Sequence, residues 1–208
     1  DNLMRMKLMS RSDFENSIGC GLKKRNILFT YHPETTQDIT KTETDFSKIL
    51  LSLDRLEDTL LIFTKANADV GGRLINKMID EYIAQNKDRA ICFASLGQLR
   101  YLSALQHVDA VVGNSSSGIV EAPSFKLATI NIGNRQKGRV RAASVLDVDV
   151  DTNKIFDAIQ KIYTPEFKEI LKCTHNPYGQ GNSSQVVLNT LKKVHLDDLK
   201  IKRFYDVK

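Results

Sequence analysis

"NILFTYHPETTQDITKTETDFSKILLSLDRLEDTLLIFT", residues 26–64, decides the fold. Its ends, NILFTY (26–31) and TLLIFT (59–64), are short apolar runs without polar alternation, which suits strands buried on both faces of a sheet. Between them TETDFSKILLSLDRL (42–56) sets Phe46, Ile49, Leu50, Leu53 and Leu56 along one helical stripe. Strand, helix and strand in that order form a parallel crossover unit. The rhythm continues outward. RAICFA (89–94), VDAVVG (108–113) and LATINI (127–132) read as further strands. GGRLINKMIDEYIAQN (71–86) carries Leu74, Ile75, Met78, Ile79 and Tyr82 on one helical face. SLGQLRYLSALQHV (95–108) opens with Ser95 and Gln98 at capping-box spacing and then repeats Leu99, Leu102 and Leu105. The expected fold is therefore α/β, a doubly wound parallel sheet.

The two ends depart from this pattern. SRSDFENSIG (10–19) reads as a short capped helix, part of a lead-in over 1–25 that joins the first strand to something before it. NPYGQGNSSQVVLNTLKKVHLDDLKIKRFYD (176–206) reads as a glycine turn, a helix from about Ser183 to Val194 and an amphipathic tail. The expected organisation is a lead-in at 1–25, one domain at 26–195 and a tail at 196–208.

Composition narrows the function. With 208 residues, 41% of them hydrophobic, the chain can bury a substantial core. The net charge of +5 comes from 30 basic residues interspersed with 25 acidic ones, and no stripe of aromatic and basic residues accompanies them, which argues against nucleic acid as a partner. Cys20, Cys92 and Cys173 are odd in number, far apart and outside any CxxC spacing, so reduced thiols in a cytoplasmic setting are expected, with neither a disulfide framework nor a metal site. No apolar run is long enough for a membrane span, and the first residues lack a signal-peptide pattern.

Ligands of an open parallel sheet bind beyond the carboxyl ends of its strands, where free backbone amides gather. The unusual residues lie in those loops. After VDAVVG comes GNSSSGIVEA (113–122), in which a flexible turn before a helix near Ser117 aims amides and the Ser115 and Ser116 hydroxyls at one point, as a phosphate cradle does. Glu121, one turn beyond, suits a ribose diol. Arg135, at the mouth of the next strand, offers a fork of donors to a diphosphate. A plainer alternative makes the serines a helix cap and leaves Glu121 in solvent. His32, directly after the first strand, suits phosphate or sugar contact. Asn67 and Asp69 precede Gly71-Gly72 and read equally as ligand contacts or as an Asx turn. His107, His175 and His195 have no partners at ligand spacing and read as structural.

GNSSSGIVEA, then INIGNRQKGR from Ile130, then NPYGQGNSS (176–184), together resemble the second domain of the hydrolysing UDP-N-acetylglucosamine 2-epimerases of sialic acid biosynthesis. The resemblance spans nearly the whole chain. It implies a Rossmann-like second domain of a glycosyltransferase-B-type architecture that holds UDP without a cofactor. It matches Ser115 and Ser116 to diphosphate-binding serines, Glu121 to the ribose-binding glutamate, Arg135 to the arginine near the phosphates, and His32 to a histidine beside the nucleotide. Ala94 to Leu96, including Ser95, fall where the family reads the uracil edge. The implied reaction eliminates UDP from UDP-N-acetylglucosamine to a glycal and adds water to give N-acetylmannosamine. The acid and base at C2 belong to an N-terminal domain, the implied partner of this one in a full-length homo-oligomer, so this chain alone is expected to be inactive.

Three alternatives stand beside that expectation. One is the nucleotide domain of a glycosyltransferase-B enzyme that uses an acceptor. Another is an epimerase of a UDP- or GDP-linked diacetamido sugar. The third is a binding module for anionic polymers.

Overall fold

The computed structural model describes residues 6–34, 38–68, 70–179 and 181–194. The chain divides into two compact units, Lys7–Gly179 and a smaller one made of Asp1–Met6 with Gln180–Lys208.

Among the described residues the larger unit holds six parallel strands: β1 (Arg25–Thr30), β2 (Thr59–Thr64), β3 (Ala90–Phe93), β4 (Ala110–Gly113), β5 (Ala128–Ile132) and β6 (Val145–Val148). Their order is β3-β2-β1-β4-β5-β6. The sheet is doubly wound, as the alternation of segments predicts. The chain leaves β1 towards one edge and returns to pair β4 against its other side, so the point where the strand order reverses lies between β1 and β4.

The helices are α1 (Arg11–Ile18), α2 (Ile39–Asp54), α3 (Val70–Gln85), α4 (Gly97–His107), α5 (Ser117–Val120), α6 (Thr152–Lys161) and α7 (Pro165–Cys173), with a 3₁₀ turn at Ala122–Phe125. Local chemistry sets their ends. Ser10 Oγ accepts from Asp13 N at 3.2 Å to begin α1, which Gly19 ends with φ 67°. Asp151 Oδ1 accepts from Asn153 N and Lys154 N at α6, and Thr164 precedes Pro165 at the first position of α7. In the smaller unit α8 runs over Ser183–Lys193.

Both faces of the sheet are covered. Ile27, Phe29 and Tyr31 join Phe46, Ile49 and Leu53 of α2 and Ile75 and Ile79 of α3 in one buried cluster. Leu28, Leu60 and Ile62, which alternate with them and so face the opposite side, are fully buried too. Thr30 and Thr64, neighbours in register, share a hydroxyl hydrogen bond of 2.5 Å at the strand ends.

Several details differ from the expectation. Val145–Val148 is a strand that no apolar run announces. Ser95 does not open a capping box: its Oγ accepts from Gly97 N at 3.1 Å, and the helix starts only there. Leu99 is 39% exposed while Leu102 and Leu105 are buried, so the stripe of α4 is narrower than its leucines imply. The strand expected from Val108 begins at Ala110, because Val108 still caps α4 and Asp109 turns its carboxylate onto Asn26 N at 2.7 Å. The tail at 196–208 lies outside the described residues.

Candidate functional site

The rim over β1, β4 and β5 gathers most of the residues singled out above. β4 ends at Gly113, whose φ of 131° turns the chain sharply, and Asn114 N then donates to Thr30 O at 3.0 Å. Ser115 and Ser116 follow, both half-buried. Ser115 Oγ accepts from Ser117 N at 3.4 Å, while Ser116 occupies the N-cap position of α5 without a side-chain cap bond. A plain helix cap would spend the Ser116 hydroxyl on that bond. The helix is only four residues long, because Pro123 and the 3₁₀ turn follow at once. Its macrodipole is therefore slight, and the loop can hold an anion only through its own amides and hydroxyls.

Arg135 is exposed, and its Nη1 donates to Asn114 O at 3.1 Å, which lays the guanidinium along the serine loop. Gln136, buried, donates from Nε2 to the same oxygen at 2.9 Å. His32 is half-buried at the end of β1. Its N donates to Asn114 Oδ1 at 2.8 Å, and its O accepts from Asn114 Nδ2 at 2.7 Å. Asn67, exposed in the loop after β2, donates from its backbone N to His32 Nδ1 at 3.3 Å. Glu34, which follows His32 in the loop after β1, ties that loop to the one after β5, its Oε1 accepting from Asn134 N at 3.0 Å. Five predicted residues (Ser115, Ser116, Arg135, His32 and Asn67) thus lie on one continuous set of loops.

The others fall differently. Glu121 is half-buried at the end of α5, one turn from Ser117. The Tyr101 phenol stands in its field with the hydroxyl facing that of Ser117, short of good hydrogen-bond geometry. Burial, more than Glu121, pushes this phenol up to about 12. Ser95 is exposed beyond β3, at the far edge of the sheet, two strands from β1. Asp69 lies outside the described residues. His107 packs on Phe14 and shares a 3.0 Å hydrogen bond with Met9 O, a structural use.

Two further residues escape a reading of the sequence alone. Asn114 sits inside the quoted motif but is masked by the serines beside it. Asn176 of the NPYG stretch donates from Nδ2 to Val120 O at 2.8 Å and to Ser124 Oγ at 2.6 Å, bracing the turn that carries Glu121. The Asn-Pro turn was the available signal, but it does not name the distant carbonyl.

A cleft of about 640 Å³ adjoins the rim between β6, α6 and the loop after β5. Lys137, Arg141 and Lys154 line it against Asp147, Asp149 and Asp157. Arg141 pairs with Asp147 at 2.6 Å and Lys154 with Asp149 at 2.5 Å, so most of its charge is already matched. Among the described residues no group of three or more His, Cys, Asp or Glu side chains is placed to hold a metal ion, and no helix is long and apolar enough to cross a membrane.

The sequence pattern of the family described as UDP-N-acetylglucosamine 2-epimerase matches residues 1–192. The chain belongs to this family. It is similar to the GDP/UDP-N,N'-diacetylbacillosamine 2-epimerase (hydrolyzing) of Campylobacter jejuni, 40% identical over 203 residues, which are 97% of this chain and 52% of that protein. It is also similar to the polysialic acid biosynthesis protein P7 of Escherichia coli, 33% identical over all of this chain and 52% of the relative. The chain thus spans about half the length of the curated relatives it matches. Its fold is similar to that of about half of the UDP-GlcNAc 2-epimerase from Neisseria meningitidis, whose crystal structure has UDP-GlcNAc bound. The TM-score is 0.64 at 20% identity, over 88% of this chain and 48% of the other.

Proposed function

We propose that this chain is the nucleotide-holding part of a hydrolysing nucleotide-sugar 2-epimerase. The observation that carries the reading is the convergence of Ser115, Ser116, Arg135 and His32 on the rim between β1, β4 and β5. That rim lies where the strand order reverses, and parallel sheets of this type bind nucleotides there.

In the reaction a base takes the proton from C2 of the sugar and the C1–O bond to the diphosphate breaks, releasing UDP and a glycal. Water then adds, its proton to C2 and its hydroxyl to C1, to give the 2-epimer. This chain serves the leaving group. Negative charge grows on the diphosphate oxygen as the C1–O bond lengthens, and donors already aimed at it lower the barrier without having to reorganise. The loop amides, the two serine hydroxyls and the Arg135 fork supply those donors, and His32 supports the phosphates from the β1 side. Glu121 receives the ribose hydroxyls. Asn67, held beside His32, contributes a substrate contact, and Ser95 meets the base. The proton chemistry at C2 belongs to residues beyond this chain, in the protein's remaining half, with which it works in the cytoplasm as part of a homo-oligomer.

Two sugars fit the reading. The motifs point to UDP-N-acetylglucosamine, with N-acetylmannosamine as product. The 40% identical relative, by its name, favours a diacetamido sugar carried on UDP or GDP. Supplying the full-length protein with UDP-N-acetylglucosamine and with UDP- and GDP-linked diacetylbacillosamine, and following nucleotide release, separates them. Release only in the presence of an acceptor sugar would replace both with a glycosyltransferase. Titration of this chain with UDP tests the nucleotide site directly, and failure of both the chain and the full-length protein to bind would remove the proposal.

A further inference from the structure

Asn114 is fully buried and every polar group it owns is engaged, each bond leading to a loop of the rim or to the end of β1. Its side chain meets the His32 main chain as a neighbouring strand would, accepting from N and donating to O. Its carbonyl receives Arg135 and Gln136, and its N–H holds the end of β1 at Thr30. Among side chains of this length a carboxamide alone is planar and carries donor and acceptor together. Aspartate would keep the bond from His32 N but set a carboxylate oxygen against His32 O in a buried place. Serine would not span the gap with both bonds.

We propose that Asn114 is a positioning residue, which sets the His32 ring and the Arg135 guanidinium against Ser115 and Ser116 so that one anion meets all of them together. The inference rests on the reading of this rim as the nucleotide site. Its consequence for His32 is specific. With the main chain clamped at N and O, and with ring Nδ1 accepting from Asn67 N–H, the neutral imidazole carries its proton on Nε2 and works as a donor. Releasing the clamp frees the backbone of His32, and with it the ring, while the serine hydroxyls keep their place in the sequence.

The test is nitrogen NMR of the His32 imidazole in the whole chain, combined with UDP titration of the wild type, Asn114→Asp, His32→Ala and the double variant. The wild type is expected to show a single neutral tautomer protonated at Nε2, and folded Asn114→Asp a mixture. His32→Ala should weaken UDP binding about ten-fold in the wild-type background and less than two-fold beside Asn114→Asp, the non-additivity of residues acting through one another. A purely structural Asn114 would lower stability but leave the tautomer and the His32 effect unchanged, and that result overturns the proposal. Should Asn114→Asp fail to fold, the wild type decides: the Asn114 side-chain amide signals must shift with the same UDP midpoint as His32, and a static amide refutes the coupling. If UDP binds neither this chain nor the full-length protein, the nucleotide reading fails, whereas the tautomer comparison still reports separately on the clamp.

Discussion

Gly113 stands against Thr30 so closely that a Cβ on the glycine would overlap the Thr30 carbonyl oxygen. The φ of 131° at Gly113 is also one that L side chains rarely adopt. The serine loop can leave β4 at that angle only because residue 113 has no side chain.

Gly113→Ala is therefore expected to destabilise the chain by about 3 kcal/mol or more, combining backbone strain with a clash against main chain that cannot move aside. Gly138→Ala is the control. It shares a positive φ, 85°, but nothing lies within 4 Å of the added carbon, so a loss of about 1 kcal/mol is expected. Urea denaturation midpoints of the two variants check the difference.

Arg135→Ala removes a charged donor from the serine loop. UDP affinity measured by calorimetry should fall about 10- to 100-fold, the range for a hydrogen bond to a charged group. Arg135→Lys should recover only part of it, because an ammonium lacks the planar fork. A variant that binds as the wild type does would take Arg135 out of the site.

These expectations rest on parts of the molecule that were legible to different degrees. Strands β1, β2 and β5 were plain because burial on both faces leaves an unbroken apolar run, as in TLLIFT, which is entirely buried. The edge strand Val145–Val148 was not, since it is half-exposed and broken by Asp147, and four residues carry no period. The serine loop, Arg135 and His32 could be read because loops at strand ends need special residues. Asn114 could not, because the partners of its side chain are main-chain atoms 82 residues away in sequence, and nothing in an asparagine announces whose backbone it will copy. The four-residue length of α5 was hidden for a similar reason, since Pro123 is compatible with either a helix start or a 3₁₀ turn.

Asp109 gives a pH dependence. Burial raises its carboxyl above the ordinary 3.8, more than the bond from Asn26 N and the field of Arg25 lower it. The folded state therefore holds this proton more tightly than the unfolded one. Stability from this group is greatest below pH 3.8 and declines as pH rises through the raised value. Asp109→Asn keeps an acceptor for Asn26 and removes the half-buried charge, so the variant should be more stable than the wild type at neutral pH, with the gap closing in acid. Denaturation across that range reads the trend directly, and a gap that widens in acid would contradict it.

The three cysteines should differ in reactivity. Burial pushes the Cys92 thiol up to about 11, which keeps it protonated near neutrality, whereas Cys173 is exposed. Since the thiolate is the reacting form, a thiol reagent at mildly alkaline pH should modify Cys173 well before Cys92. Peptide mass mapping at successive times establishes the order.

The place of β1 in the sheet also bears on how the protein is made. Ile27 pairs with Leu61 on one side and with Ala110 on the other. As the chain leaves the ribosome, β1, β2 and β3 can assemble first, with the bare side of β1 turned to solvent. At about 5 to 20 residues per second, the eighty-odd residues before Ala110 arrives amount to roughly 4 to 17 seconds with an unpaired backbone edge on an apolar strand. In that interval the nascent chain offers β1 to any strand that reaches it, and a chaperone that shields it until β4 emerges would protect the yield of folded protein.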